Sequence, residues 1–175
     1  GELRGATWNE FDIQNARWTV PASRMKMKAN GDHIVPLAAQ SIELLKELWQ
    51  ISGASNTVPN WLFPNCRHES TPMSTTTINR ALERMGFNGK KTIGFAAHGF
   101  RGTGSTLLHE AGYEPRVIEA QLAHKEPSSV KAAYNKAQYV PQRALMLQFW
   151  ANYIDELKKG DAVVSDHSVA AWTTS

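Results

Sequence analysis

The sequence predicts an α+β domain, mainly α with a small antiparallel three-stranded β-sheet at one edge. Three observations carry that expectation. Near the start, TWNEFDI, ARWTVP and DHIVPL are short runs in which apolar and polar residues alternate, the period of a half-buried strand. Beyond them, apolar residues recur at helical spacing in segment after segment. Gly86, Gly112 and Pro115 punctuate those segments where helices would stop and start.

Between the second and third runs lies RMKMKANGD, whose Asn30-Gly31 is a hairpin turn signal, so Arg24, Lys26 and Lys28 are expected on a mobile hairpin arm. From Ala38 to about Ile51, a helix is predicted with Ala38, Ile42, Leu45 and Trp49 on its core face. The stretch SGASNTVPNWLFPNCRHESTP is rich in turn formers and reads as a long loop. Ser74 is placed to cap a helix reaching Met85, with Ile78, Leu82 and Met85 inward and Gly86 as its stop. After GFNGKKTIGFAA, a helix is expected from Phe100 to Ala111, ended by Gly112, and another from Pro115 to Ala123. Ser128 and Ser129 would cap a short helix carrying Tyr134. The last helix has Met146, Phe149, Trp150, Tyr153 and Leu157 along one stripe. The expected division is a domain over 1–157 and a flexible tail over 158–175.

The chain has 175 residues, enough for one domain with an ordinary core. Its net charge of +3 suits a polyanionic partner only if the cations cluster. The single cysteine, Cys66, excludes an internal disulfide and fits a reducing, cytoplasmic setting. No apolar run approaches the roughly 18 residues that span a bilayer, and the first residues do not read as a signal peptide. Cys66-Arg67-His68 has no second Cys/His pair beside it, so no metal and no other cofactor is expected. Gly102-Thr103-Gly104 lacks the lysine and preceding strand of a nucleotide-binding loop.

Chemistry concentrates between His98 and Tyr134. On a helix, His98 and Arg101 share a face and could address one phosphate, and the planar arginine fork matches phosphate oxygens with paired hydrogen bonds. His124 follows, then an isolated Tyr134 whose phenol could attack phosphorus and store the bond energy in an ester. Bland readings exist for each: His124 next to Lys125 could cap a helix end, and a tyrosine after a helix is most often packing or surface.

The order His-x-x-Arg, Leu-Ala-His, Ala-Ala-Tyr resembles the tyrosine recombinase (phage integrase) family, especially prophage integrases of the enterobacterial satellite-phage type. The similarity extends through GELRGATWNEFD, RMKMKANGDHIVPLA and QRALMLQFWANYIDEL, which together reach across most of the chain. It implies the fold of a tyrosine recombinase catalytic domain. The implied activity is site-specific recombination of double-stranded DNA attachment sites, integrating or excising mobile DNA through a 3′-phosphotyrosyl intermediate without magnesium. Homotetramers on DNA, with accessory bending and directionality proteins, are implied as the working assembly. The resemblance assigns Tyr134 as nucleophile with Tyr139 as rival, Arg101, His98 and His124 as phosphate-side groups, and Lys26 as general acid with Lys28 as alternative. Arg24, Lys28, Arg80, Arg84, Lys90 and Lys91 are expected to face the DNA backbone.

The family also carries a phosphate-binding arginine three residues before the glutamate that matches Glu2, a position that falls before Gly1; Arg4 does not match it by spacing. The chain therefore reads as a fragment of a longer integrase, expected to cleave poorly or not at all by itself. Two rival functions follow from the same residues. One is DNA relaxation of the type IB topoisomerase kind, and the other is an inactive DNA-binding module derived from an integrase.

Overall fold

Phe11 and Trp18 are cross-strand partners, and their rings stack in parallel with centroids 5.4 Å apart. That pair fixes the register of a three-stranded antiparallel sheet of order β1-β2-β3, built from β1 (Phe11–Asp12), β2 (Arg17–Val20) and β3 (His33–Pro36). The computed structural model describes residues 1–25, 31–53, 59–87, 94–124 and 138–160. Trp18 and Val20 point to one side of β2 and are buried, while Arg17 is exposed, as the period of two demands. Of the expected hairpin turn, Gly31 takes a left-handed φ of 73°, whereas Asn30 lies outside the described residues.

Among the described residues five α-helices follow: α1 (Ala39–Leu48), extended by a wider turn over Trp49–Gly53, then α2 (Thr77–Arg84), α3 (Gly99–Glu110), α4 (Pro115–Gln121) and α5 (Val140–Lys159). The short helix expected after Ser128 lies outside the described residues, as does the tail over 161–175. Lys158 and Lys159, expected in the tail, belong to α5, which ends at Gly160 with a φ of 75°.

Two cores result. One lies under the sheet, where Ala6, Trp18, Val20, Met25 and Leu62 are buried with Leu45 and Leu48 of α1 packed against them. The other joins α3, α4 and α5 through Leu108, Val117, Ile118, Met146 and Phe149. The segment expected to be a loop around Trp61 is more ordered than its turn formers suggest. Leu62 donates its N–H to Ala6 at 2.8 Å, and bridges pair Thr7 with Trp61 and Pro64 with Pro72. Leu62 supplies the reason, since its burial under the sheet anchors the described part of the segment, from residue 59 on.

Two expectations about helix faces are corrected. On α2, Leu82 is buried but Ile78 and Met85 are 40% and 65% exposed, because α2 makes no extensive contact with any other described element. Trp49 is 46% exposed as well, and meets Trp8 edge-on at 5.0 Å instead of entering the core. The α1–α5 seam is polar. Gln40 donates to Asn152 and Asp155, Gln148 donates to Gln40 and Asn152, and the Ala39 N–H donates to Gln148, all at 2.9 Å.

Candidate functional site

The start of α3 is set by a close approach that only glycine allows. A Cβ on Gly99 would lie 2.9 Å from the Phe95 ring, and Phe95 in turn meets Phe100 edge-on at 4.8 Å. His98 is the residue flanking the helix, exposed, and Arg101 stands in the first turn with its N–H bonded to the His98 carbonyl at 3.2 Å. At this end the helix dipole favours a negative ligand, in the same sense as the arginine charge.

The end of α4 supplies the facing wall. Leu122 and Ala123 close the helix, with Ala123 in the left-handed region at φ 50°, where a residue bearing a Cβ costs on the order of 1 kcal/mol. Alanine instead of glycine has a use here, because Ala123 packs on the core under the sheet. The turn brings the His124 N–H to the Glu119 carbonyl at 3.1 Å and the His124 Nδ1 to the Glu119 carboxylate at 2.5 Å. A carboxylate on Nδ1 fixes that nitrogen as donor and leaves Nε2 as the atom able to act on a ligand. Arg101 reaches across and donates an N–H to the Leu122 carbonyl. With five N–H donors, its fork retains capacity for a phosphate.

The structure thus joins Arg101 to the turn that carries His124, and sets His98 one helical turn before Arg101. Tyr134, Lys26, Lys28, Lys90 and Lys91 lie outside the described residues. Arg80 and Arg84 are exposed on α2, four apart on one face. Arg24 departs from the expectation of a charge carried on a mobile arm. It sits in a short turn (Ala22–Arg24), is paired with Glu10 and donates to the Glu2 carbonyl at 3.4 Å. Glu10 also accepts the Trp18 indole N–H at 2.9 Å, so Arg24 is drawn inward by a carboxylate already held at the sheet.

Three residues beside this site were not singled out from sequence: His33, Gln121 and Arg143. Arg143 is fully buried on α5. Its Nε donates to the Gln121 side chain at 2.9 Å, one Nη to the Gln138 carbonyl at 3.1 Å, and the other Nη to His33 Nε2 at 3.3 Å. Burial pushes its guanidinium down to about 10, which leaves it charged at neutral pH. Burial, and then the charge of Arg143, hold the His33 imidazole below its usual range; a hydrogen bond to the Gln121 backbone and the Glu2 carboxylate oppose this, and Arg101 adds to the depression.

The sign of the pH effect follows. Above about pH 6.5 His33 is neutral both folded and unfolded; as pH falls, the unfolded chain takes the proton first, and stability is lost through the folded pKa. Urea midpoints followed by tryptophan fluorescence at about pH 8 and about pH 5.5 should therefore fall more for the parent than for His33→Gln. Equal losses in the two proteins would remove His33 as the cause.

Among the described residues, no group of three or more His, Cys, Asp or Glu side chains could hold a metal ion, and no helix is long and apolar enough to cross a membrane.

The sequence profile of the phage integrase family matches residues 1–140. Over 164 residues the chain is 37% identical to prophage integrase IntA of Escherichia coli (strain K12), a match covering 94% of this chain and 37% of that protein. It is 39% identical over 166 residues to the integrase of Enterobacteria phage P4, covering 88% of this chain and 36% of that protein. Prophage integrase IntZ of Escherichia coli (strain K12) is 40% identical over 161 residues, with 91% and 37% covered. The chain therefore spans little more than a third of the length of these curated relatives. Among solved structures, the crystal structure of XerA recombinase superposes with a TM-score of 0.54 at 21% identity, covering 78% of this chain and 52% of that one, a likeness of fold.

Proposed function

The chain belongs to the phage integrase family, and from that premise we propose that it serves as the catalytic domain of a site-specific DNA recombinase. In this reading Tyr134 attacks the scissile phosphodiester as its phenolic proton passes to His98 or a nearby water, the 3′-phosphate of the DNA becomes esterified to the phenolic oxygen, and the 5′-hydroxyl departs with a proton from Lys26 or Lys28. A 5′-hydroxyl from a partner strand then reverses the step, regenerating the phenol and a rejoined strand. Arg101, His98 and His124 stabilise the charge that develops on the non-bridging oxygens. The observation that carries the reading is the meeting of Arg101 with the turn bearing His124, in a chain matching the family profile over residues 1–140.

The DNA-facing role of Arg80, Arg84, Lys90, Lys91, Lys28 and Arg24 is part of the proposal, with Arg24 the weakest member because Glu10 engages it. Double-stranded attachment sites, a homotetramer on DNA and accessory bending and directionality proteins complete it. Residues 1–175 by themselves are proposed to cleave poorly, because the arginine that the family carries three residues before the match to Glu2 is not among them.

The test is a nicked suicide DNA bearing the attachment site, incubated with residues 1–175 and with a version extended upstream by an arginine-bearing segment. A protein–DNA band that survives denaturant, strong for the extended version and faint for residues 1–175, is expected. DNA binding without any such band from either protein would favour the inactive module, and relaxation of one plasmid without joining of two sites would favour the topoisomerase. Binding should weaken with salt by a log–log slope of about −0.9 per phosphate neutralised, and a flat response would count against DNA as the partner.

A further inference from the structure

A guanidinium buried without a carboxylate is an unfavourable choice for a helix stripe that Leu or Met would fill, since the charge is desolvated and only its hydrogen bonds offset that loss. Arg143 is such a group among the described residues: it is fully buried, and its three side-chain partners there are all uncharged acceptors. What the partners share is their position in the chain. Gln121 is the last residue of α4 and immediately precedes Leu122, whose carbonyl holds Arg101. Gln138 lies on the other side, in sequence, of the segment that contains Tyr134. His33 opens β3, just after the segment that contains Lys26 and Lys28.

We propose that Arg143 is a positioning residue for strand transfer, a buried clasp joining α4, α5 and β3 at the points where the chain enters or leaves the segments bearing the reactive groups. The inference rests on the strand-transfer reading above and deepens it. Arg143 touches neither DNA nor phosphorus in this account. It acts through Gln121 and Leu122 on the setting of Arg101, and through His33 and Gln138 on the stems of the two segments.

The hydrogen-bond pattern requires one form of His33. Its Nε2 accepts from Arg143, so the proton of the neutral ring sits on Nδ1, the nitrogen able to donate to the Gln121 backbone. Glutamine at position 33 reproduces both roles, because its amide oxygen can accept and its amide nitrogen can donate. Leucine reproduces neither.

The experiment compares the upstream-extended protein with its Arg143→Met, His33→Gln and His33→Leu variants, measuring folding by thermal melt, DNA affinity by gel shift and single-turnover adduct formation on the nicked DNA. Arg143→Met should bind DNA as the parent does and form adduct about 10- to 100-fold more slowly, the range seen when a supporting partner of a reactive group is removed. His33→Leu should be slowed in the same way, and His33→Gln should retain most of the parent rate. Nitrogen-15 NMR should show the parent His33 as the Nδ1–H form.

A folded Arg143→Met that forms adduct at the parent rate overturns the proposal, as does a His33→Leu equal to His33→Gln. If Arg143→Met does not fold, the two His33 variants decide the matter alone. A parent that forms no adduct overturns the strand-transfer reading and this role with it, whereas a parent that cleaves beside an equally active Arg143→Met overturns this role only.

Discussion

Replacing Tyr134 by phenylalanine is expected to abolish the covalent protein–DNA band completely while DNA binding persists. Phenylalanine keeps the ring and removes the one oxygen that can be esterified. A free phenol near pKa 10 is only about a thousandth ionised at neutral pH, so the attacking group has to shed its proton as the bond forms, and no other atom of the side chain can substitute. Tyr139, five residues on, is the alternative nucleophile. Its backbone takes a left-handed φ of 49° at the start of α5, its carbonyl accepts the Arg143 N–H at 2.8 Å, and its ring packs on the helical core. Those ties oppose its use as an attacking group, so Tyr139→Phe should keep the band. The measurement is a denaturing gel of the nicked-DNA reaction for the two variants side by side. A band that persists in Tyr134→Phe and vanishes in Tyr139→Phe would transfer the assignment.

Arg101→Ala is expected to slow adduct formation by about a hundred- to a thousand-fold, the usual consequence of deleting one fixed donor to a developing oxyanion. Two losses combine in it. The phosphate loses a bidentate cation, and the Leu122 carbonyl loses the hydrogen bond that ties the end of α4 to α3. Arg101→Lys separates them: an ammonium keeps the charge but cannot present the planar fork to phosphate while serving the carbonyl, so an intermediate rate is expected. Single-turnover rates at saturating DNA decide this. A change below about threefold for Arg101→Ala, far short of the loss expected for a fixed donor, would mean that Arg101 does not face the reacting phosphate.

What could be read from the sequence follows the reach of local rules. The three strands were legible because Trp18 and Val20 alternate with polar neighbours, and the stop of α3 and start of α4 because Gly112 readily takes the left-handed φ that ends a helix, here 83°, and Pro115 has its φ fixed for a first helical turn. His98 and Arg101 were legible as a pair because helical spacing alone puts them on one face. His33 was hidden in the DHIVPL alternation, which reads as an ordinary strand, and its partner Arg143 lies 110 residues away. A signal for Arg143 was nonetheless present: it stands three residues before Met146, so a charged residue continues the apolar stripe of α5. The inward turn of Arg24 could not be read locally, since it depends on Glu10 being held by Trp18 across the sheet. Ile78 and Met85 show the converse, helical spacing without a surface to bury against.

The amide seam between α1 and α5 works as an index mark. Greasy helices can slide past one another by fractions of a turn at little cost, but a slip of one turn, about 5.4 Å, would leave Gln40, Gln148 and Asn152 facing the wrong groups all at once. α5 therefore has a single axial setting against α1. Arg143 stands five residues upstream of Gln148 on the same rod, about 7.5 Å along its axis, so the reading of that vernier is also the depth to which the guanidinium is pushed between β3 and α4.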